Sequence, residues 1–141
     1  MAIRIVRLGT PRHAGEGLRL GTVRRPPRGV RKTDYATRDY YDAWLPELAP
    51  SAPLVSFALS RPFTPARWAV YARRYRGEMR APATQRLITL LAALSSGTDF
   101  SVGCYCEDAT RCHRSLLREL LIEQGAEVVR GAGDGLTGRL S

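Results

Sequence analysis

All three cysteines and one of the two histidines fall within ten residues, in the run Gly103-Cys104-Tyr105-Cys106-Glu107-Asp108-Ala109-Thr110-Arg111-Cys112-His113-Arg114. Thiols and an imidazole at this density suit two kinds of chemistry. A thiolate is a nucleophile, and a neighbouring imidazole can accept or return its proton. The same side chains, Cys104, Cys106, Cys112 and His113, also match the set of three thiolates and one imidazole that holds tetrahedral zinc. Arg111 and Arg114 add fixed positive charge, and guanidinium groups form paired hydrogen bonds to phosphate or carboxylate. Taken singly, each residue has a plain structural explanation: free cysteines are often buried, and a histidine often serves a backbone carbonyl. Their concentration in one segment favours function.

The flanking pattern is a strand, a loop and a helix. Phe100, Val102, Cys104 and Cys106 lie two apart, so a strand continuing that far sets them on one face. Leu116, Leu117, Leu120 and Leu121 recur at helical spacing, and Gly125 follows as a C-terminal cap. With Thr110 as N-cap, Cys112 and His113 become the second and third helical residues. The partial positive charge of a helix start, with Arg111 and Arg114 beside it, then favours thiolate at Cys112. Cys112 is thus expected to be the most acidic thiol, Cys104 its partner and His113 the proton-transfer group, with Arg114 and Arg111 contacting an anion. His113 shares a helical line with Leu116, Leu117 and Leu120, so it should face inward, while Arg111, Arg114 and Arg118 share a different face. Zinc is the cofactor of the alternative reading. Adjacent Cys112 and His113 point about 100° apart on a helix, so both can be ligands only at an irregular first turn. Cys106 to Arg111 also has the Cys-x4-Arg shape of an anion-cradling loop, but Glu107 and Asp108 inside it would repel an anion.

The rest of the chain must position this segment. Ile3 to Leu8 alternates apolar and basic residues and predicts a strand ended by Gly9-Thr10-Pro11; Leu18 to Val23 predicts a second. His13, between them, is a solvated loop residue. Arg24 to Lys32 follows, where Pro26-Pro27 exclude helix and Gly29 permits a turn. Arg25 and Arg28 on this constrained loop are candidate anion contacts. Asp39 to Leu45 has helical spacing bounded by Pro46, with Tyr40, Tyr41 and Trp44 as core. Ser51 caps a short helix through Leu59. Thr64-Pro65 opens the clearest helix, with an N-cap hydroxyl and a proline whose missing N–H costs nothing there. Its buried stripe is Trp68, Tyr71, Tyr75 and Met79, while Arg67, Arg73, Arg74 and Arg80 make a solvated face. Pro82 starts the next helix, with Leu87, Leu90, Leu91 and Leu94 as inward candidates, ending at Ser95-Ser96-Gly97. Ala126 to Arg130 suits a final short strand.

This order predicts an α/β fold: a single three-layer domain over residues 1–130, with a small, mainly parallel sheet flanked by helices and a glycine-rich flexible tail over 131–141. In such sheets ligands bind beyond the carboxyl ends of the strands, where the Cys104–His113 loop is expected. At 141 residues, 44% of them hydrophobic and 25% charged, the chain can bury a core without staples. No apolar segment reaches the length of a membrane span and the first residues lack the apolar region of a signal peptide, so the expectation is a cytoplasmic protein with no membrane partner. In a reducing compartment clustered thiols point to metal or chemistry rather than a disulfide. The net charge is +9, and Lys32 is the only lysine among 22 basic residues. An anionic partner follows: a nucleotide, a nucleic acid or another phosphate compound. The competing class is a non-catalytic basic module that binds nucleic acid, its cysteines packing or holding zinc.

Four segments carry a family resemblance: Arg25-Pro26-Pro27-Arg28-Gly29-Val30-Arg31-Lys32, Trp44-Leu45-Pro46-Glu47-Leu48-Ala49-Pro50-Ser51, Arg74-Tyr75-Arg76-Gly77-Glu78, and the Cys-x-Cys-x5-Cys-His-Arg run. Over approximately Ile3 to Val129 the chain resembles domain-of-unknown-function family 488 (DUF488), and its YeaO-like branch in particular. The resemblance implies a small cytoplasmic α/β protein and carries no established activity. Many relatives have glutamate where this chain has Cys106, which implies that Cys104, Cys112, His113 and Arg114 are the more essential set. YeaO-like members often lack these cysteines, so the resemblance implies no cysteine-dependent reaction common to the fold.

Overall fold

The computed structural model describes residues 1–60, 62–106, 108 and 111–129. Its sheet is parallel throughout, with β1 (Ile3–Arg7), β2 (Leu18–Gly21), β3 (Ala43–Trp44) and β4 (Phe100–Cys104) in the spatial order β1-β4-β2-β3. Phe100 lies between Ile3 and Leu18, Val102 between Ile5 and Leu20, and Gly103 between Val6 and Gly21. All five residues of β4 are buried. A central parallel strand covered on both faces has no need of polar alternation. Val128 adds one parallel bridge to Ile3 at the sheet edge, where Ala126 to Arg130 was expected as a strand. Arg130 and the expected tail, 131–141, lie outside the described residues.

Four helices cover one face: α1 (Ala52–Leu59), α2 (Pro65–Glu78), α3 (Pro82–Leu94) and α4 (His113–Glu123). The first two start where side-chain chemistry dictates. Ser51 Oγ accepts the Leu54 N–H and Thr64 Oγ1 accepts the Arg67 N–H. Each relieves an otherwise unpaired helix-end donor, worth about 1 kcal/mol. One apolar cluster joins Ile3, Leu20, Phe100 and Val102 of the sheet to residues of all four helices, including Leu54, Tyr75, Ile88 and Leu117. The α2 stripe is as expected, with Tyr71, Tyr75 and Met79 buried and Trp68 half-buried.

Two expectations need correction. In α3 the buried face is Thr84, Ile88, Leu91 and Ala92, while Leu90 and Leu94 are exposed. A leucine-rich helix leaves its rotation to its neighbour, and α3 turns its Ile88–Leu91 line into the core shared with α4. Asp39 to Leu45 is not a helix. Asp39 is left-handed at φ 63°, and the Asp42 and Leu45 N–H groups donate to Arg19 O and Gly21 O of β2 at 2.7 and 2.8 Å. Sheet hydrogen bonds thus replace helical ones. Tyr41 is buried against Gly21, where a Cβ would sit 2.3 Å from its ring. Trp44 is exposed rather than core, although its Nε1 donates to Val23 O at 2.7 Å.

Loops and turns, rather than the further layer of helices expected from the sequence, cover the second face. Arg19 and Ser101 stand side by side in register there, and Arg19 is completely buried. Its Nε and Nη2 donate to both oxygens of Glu16 at 2.7 and 3.0 Å, and its Nη1 reaches Thr10 O and Asp39 O at 2.8 Å. The Glu16 carboxylate also accepts from Ser101 Oγ at 2.5 Å and the His13 N–H at 3.0 Å. Burial alone would raise the Glu16 pKa. The hydrogen bonds from Arg19, Ser101 and the His13 backbone outweigh it and hold the carboxyl at about 2. The His13 side chain itself is exposed, as expected. Among the described residues no helix is long and apolar enough to cross a membrane.

Arg19→Met would leave a buried carboxylate without its cation and should cost about 3–5 kcal/mol in urea unfolding. Because the folded-state pKa of Glu16 is lowered, its contribution is complete above its ordinary value of 4.5 and is lost as pH falls towards 2. Unfolding measured across that window should show the loss in the unaltered protein and a flatter profile in Glu16→Gln.

Candidate functional site

β4 delivers Cys104 to the carboxyl edge of the sheet, and α4 returns the chain directly after Cys112. Cys104 and Cys112 are buried, Cys106 is exposed, and the three sulfurs lie within 4.8 Å of one another. Local packing explains the convergence. A Cβ on Gly103 would lie 2.7 Å from Val6 O and 2.8 Å from the Leu8 side chain, so only glycine lets the strand end sit this close to β1. Tyr105 turns outward and its hydroxyl donates to Arg25 O at 2.9 Å. Arg114 Nη2 donates to Cys106 O at 2.7 Å and holds the turn that follows the strand.

Cys112 is the N-cap of α4, with extended backbone at φ −130° and ψ 149°, and His113 is the first helical residue. The expected start at Thr110 is therefore two residues early, and Thr110 itself lies outside the described residues. The extended N-cap turns the Cys112 sulfur back towards the strand, where it packs with Val6, Leu8, Val23, Tyr41 and Cys104.

The protons are distributed differently from the expectation. Hydrogen bonds to Cys104 and Cys106, and then burial, push the Cys112 thiol well up. The thiolate falls on Cys106, which accepts hydrogen bonds from Cys104 and Cys112 and is further favoured by the charge of Arg114; together these overcome its desolvation and hold it far below the ordinary thiol range. Cys104 is raised, chiefly by its hydrogen bond to Cys106. The helix-start charge that the sequence assigns to Cys112 is outweighed by direct S–H donation to the exposed sulfur.

His113 is buried, as expected, and stacks at a tilt 5.5 Å from the Tyr75 ring. Its Nε2 lies 2.6 Å from Thr22 O. A carbonyl only accepts, so Nε2 carries the proton and Nδ1 is the free acceptor, 3.7 Å from Cys112 Sγ. Burial lowers its pKa to about 4 despite the hydrogen bond to Thr22, leaving a neutral ring at pH 7. His113 lies outside the mutual 4.8 Å grouping of the sulfurs.

The sulfurs open into a cleft of about 550 Å³. Arg25, Arg28 and Arg111 line it from the basic loop and from the approach to α4, and all three are exposed. Val55, Ala58 and Leu59 of α1 line it with an apolar surface, as do Pro26 and Pro27 between the two loop arginines. The basic loop is pinned at Arg24, whose guanidinium donates to Pro46 O, Ala49 O and Pro50 O. Arg24 is thus a structural clamp. Arg114, expected to contact an anion, is buried and is not among the lining residues; it orders the cysteine turn instead. Thr22 and Tyr105 were not singled out from sequence. Thr22 continues a strand pattern, and its value lies in a backbone carbonyl, which carries no sequence signal.

The family model for DUF488-N3a, described as the active DUF488-N3 subclade, matches residues 3–125. The match bears out the family suggested by the motifs and names the N3 subclade; it does not name the YeaO-like branch. No curated protein and no solved structure matches the chain.

Alkylation should separate the thiols. Cys106 should react as a thiolate at a rate nearly flat from about pH 5 to 8, where an ordinary thiol of pKa about 8.5 would gain about tenfold per unit. Cys106→Ser should remove the fast phase and leave two slow, buried thiols. A fast phase that persists in that variant and is lost in Cys112→Ser would reverse the assignment.

Proposed function

The chain belongs to the DUF488 family, and from that premise we propose that its cleft binds a phosphate-bearing small molecule, such as a nucleotide, and presents it to the sulfur cluster for thiol chemistry. The observation that carries this reading is the meeting of the exposed Cys106 sulfur with Arg25, Arg28 and Arg111 in one cleft. The arginines neutralise and orient the anion. Cys106 supplies the nucleophilic sulfur. Cys104 and Cys112 hold its charge through S–H donation. Glu107, expected to repel an anion, lies outside the described residues; Asp108 is exposed. The apolar wall on α1 suits the uncharged body of such a ligand. The three reduced thiols fit a cytoplasmic setting.

A second reading rests on the net charge of +9 and the exposed Arg25, Arg28, Arg31 and Lys32. It makes the protein a basic nucleic-acid-binding module with a structural or zinc-holding cysteine cluster. Phosphate contacts along a backbone give binding that weakens steeply with salt.

Adenosine monophosphate and a short single-stranded oligonucleotide separate the two. In the first reading the nucleotide binds, and Arg25→Ala or Arg28→Ala each weakens it about tenfold or more, the cost of a lost charged hydrogen bond. Nucleotide affinity unchanged in both variants overturns that reading. Binding of the oligonucleotide alone, with a salt slope that drops in the variants, establishes the second.

A further inference from the structure

We infer that Cys104, Cys106 and Cys112 form a three-thiolate binding site for a thiophilic divalent cation, of which Zn2+ is the type, with the fourth coordination position facing the cleft. The inference rests on the proposed cleft reading only for what occupies that fourth position.

The geometry comes first. Three sulfurs within 4.8 Å of one another can surround a single ion. Zinc–sulfur bonds of about 2.3 Å place the sulfurs of a tetrahedral site roughly 3.8 Å apart, so shifts on the order of an ångström close the site. The ligands come from a strand end, the turn after it and a helix N-cap. Each is set by an interaction outside the cluster: the close approach at Gly103, the bond from Arg114 to Cys106 O, and the extended backbone of Cys112. The cage is therefore largely built before an ion arrives.

The fourth position is argued from His113. Its Nε2–H is committed to Thr22 O at 2.6 Å, and its Nδ1 faces Cys112 while remaining outside the sulfur grouping. The ring is tied to Thr22 O and touches one ligand, Cys112, rather than closing the site as the four-ligand Cys3His set requires. What remains open to the three sulfurs is the cleft that Cys104, Cys106 and Cys112 line together with His113. Three protein ligands with an exchangeable fourth are the pattern of reactive rather than structural zinc. On binding, the thiol protons pass to solvent. Cys106 then becomes an anchor, and the cation becomes the group that meets an oxygen of the ligand held by Arg25, Arg28 and Arg111.

The test uses the full chain, purified without a histidine tag or chelator and titrated with Co2+ and then Zn2+. The expected result is one Co2+ per chain with sulfur-to-metal charge-transfer absorbance, displaced by Zn2+, and loss of all three titratable thiols in the zinc form. Added imidazole should shift the visible Co2+ bands, because the fourth ligand exchanges. Cys106→Ser changes an exposed side chain and so spares the fold, checked by circular dichroism; it should weaken Co2+ by at least a hundredfold. Absence of the charge-transfer band, or three thiols that stay reactive in excess Zn2+, overturns the site. A band that imidazole leaves unmoved overturns the open position in favour of His113 closing it. Metal binding without affinity for adenosine monophosphate would defeat the ligand reading and leave the metal site standing.

Discussion

The carboxylate of Glu16 and the guanidinium of Arg19, buried together beneath the sheet, constrain nearly everything on the face that the helices leave bare. The pair draws in Ser101 from the central strand, the His13 N–H from the β1–β2 loop, and the carbonyls of Thr10 and Asp39. A buried charge stripped of its partner is far costlier than one never placed there. The loops must therefore close over the pair in one arrangement. That closure brings Asp39 into its left-handed turn and seats Tyr41 on Gly21.

The candidate site inherits this order. Tyr41, fixed above Gly21, belongs to the same small cluster as Val6, Leu8, Val23, Cys104 and Cys112, with Tyr35, Tyr40 and Tyr105 packed around it. Two buried sulfurs thus rest on a floor that the ion pair has already shaped. From the helical face, Tyr75 supports His113, and the Tyr75 hydroxyl is tied to Leu48 O at 2.7 Å. The sulfur cluster sits where the two layers meet at the end of β4.

Electrostatics then differentiates three chemically identical side chains. Adjacent thiols in a partly dry site cannot all ionise, because like charges at this separation repel strongly. The charge settles on the sulfur that accepts the most hydrogen bonds and keeps contact with water, and that is Cys106. The neutral His113 is the complement: burial denies it a proton, and its one N–H is spent on Thr22. The basic loop outside supplies the long-range field, held in place by Arg24 and Tyr105 rather than by its own prolines alone.

Patterns that are local in the chain were legible from the sequence alone. These are the caps at Ser51 and Thr64, the stripes of α2 and α4, the parallel α/β order, and the concentration of thiols at a strand-to-helix junction. Each follows from the periodicity of one element or from a side chain bonding its own backbone. Tertiary structure decided what depends on competition between distant groups. Asp39 to Leu45 pairs with β2 because sheet donors were available there, and α3 turns about its axis because α4 presents a particular surface. Arg19, in an alternating strand, reads as solvent-facing until Glu16 folds beneath it. Likewise the sequence could name three cysteines, but the identity of the thiolate depends on which sulfur donates, which accepts and which touches water. Those are distances, and only the folded chain sets them.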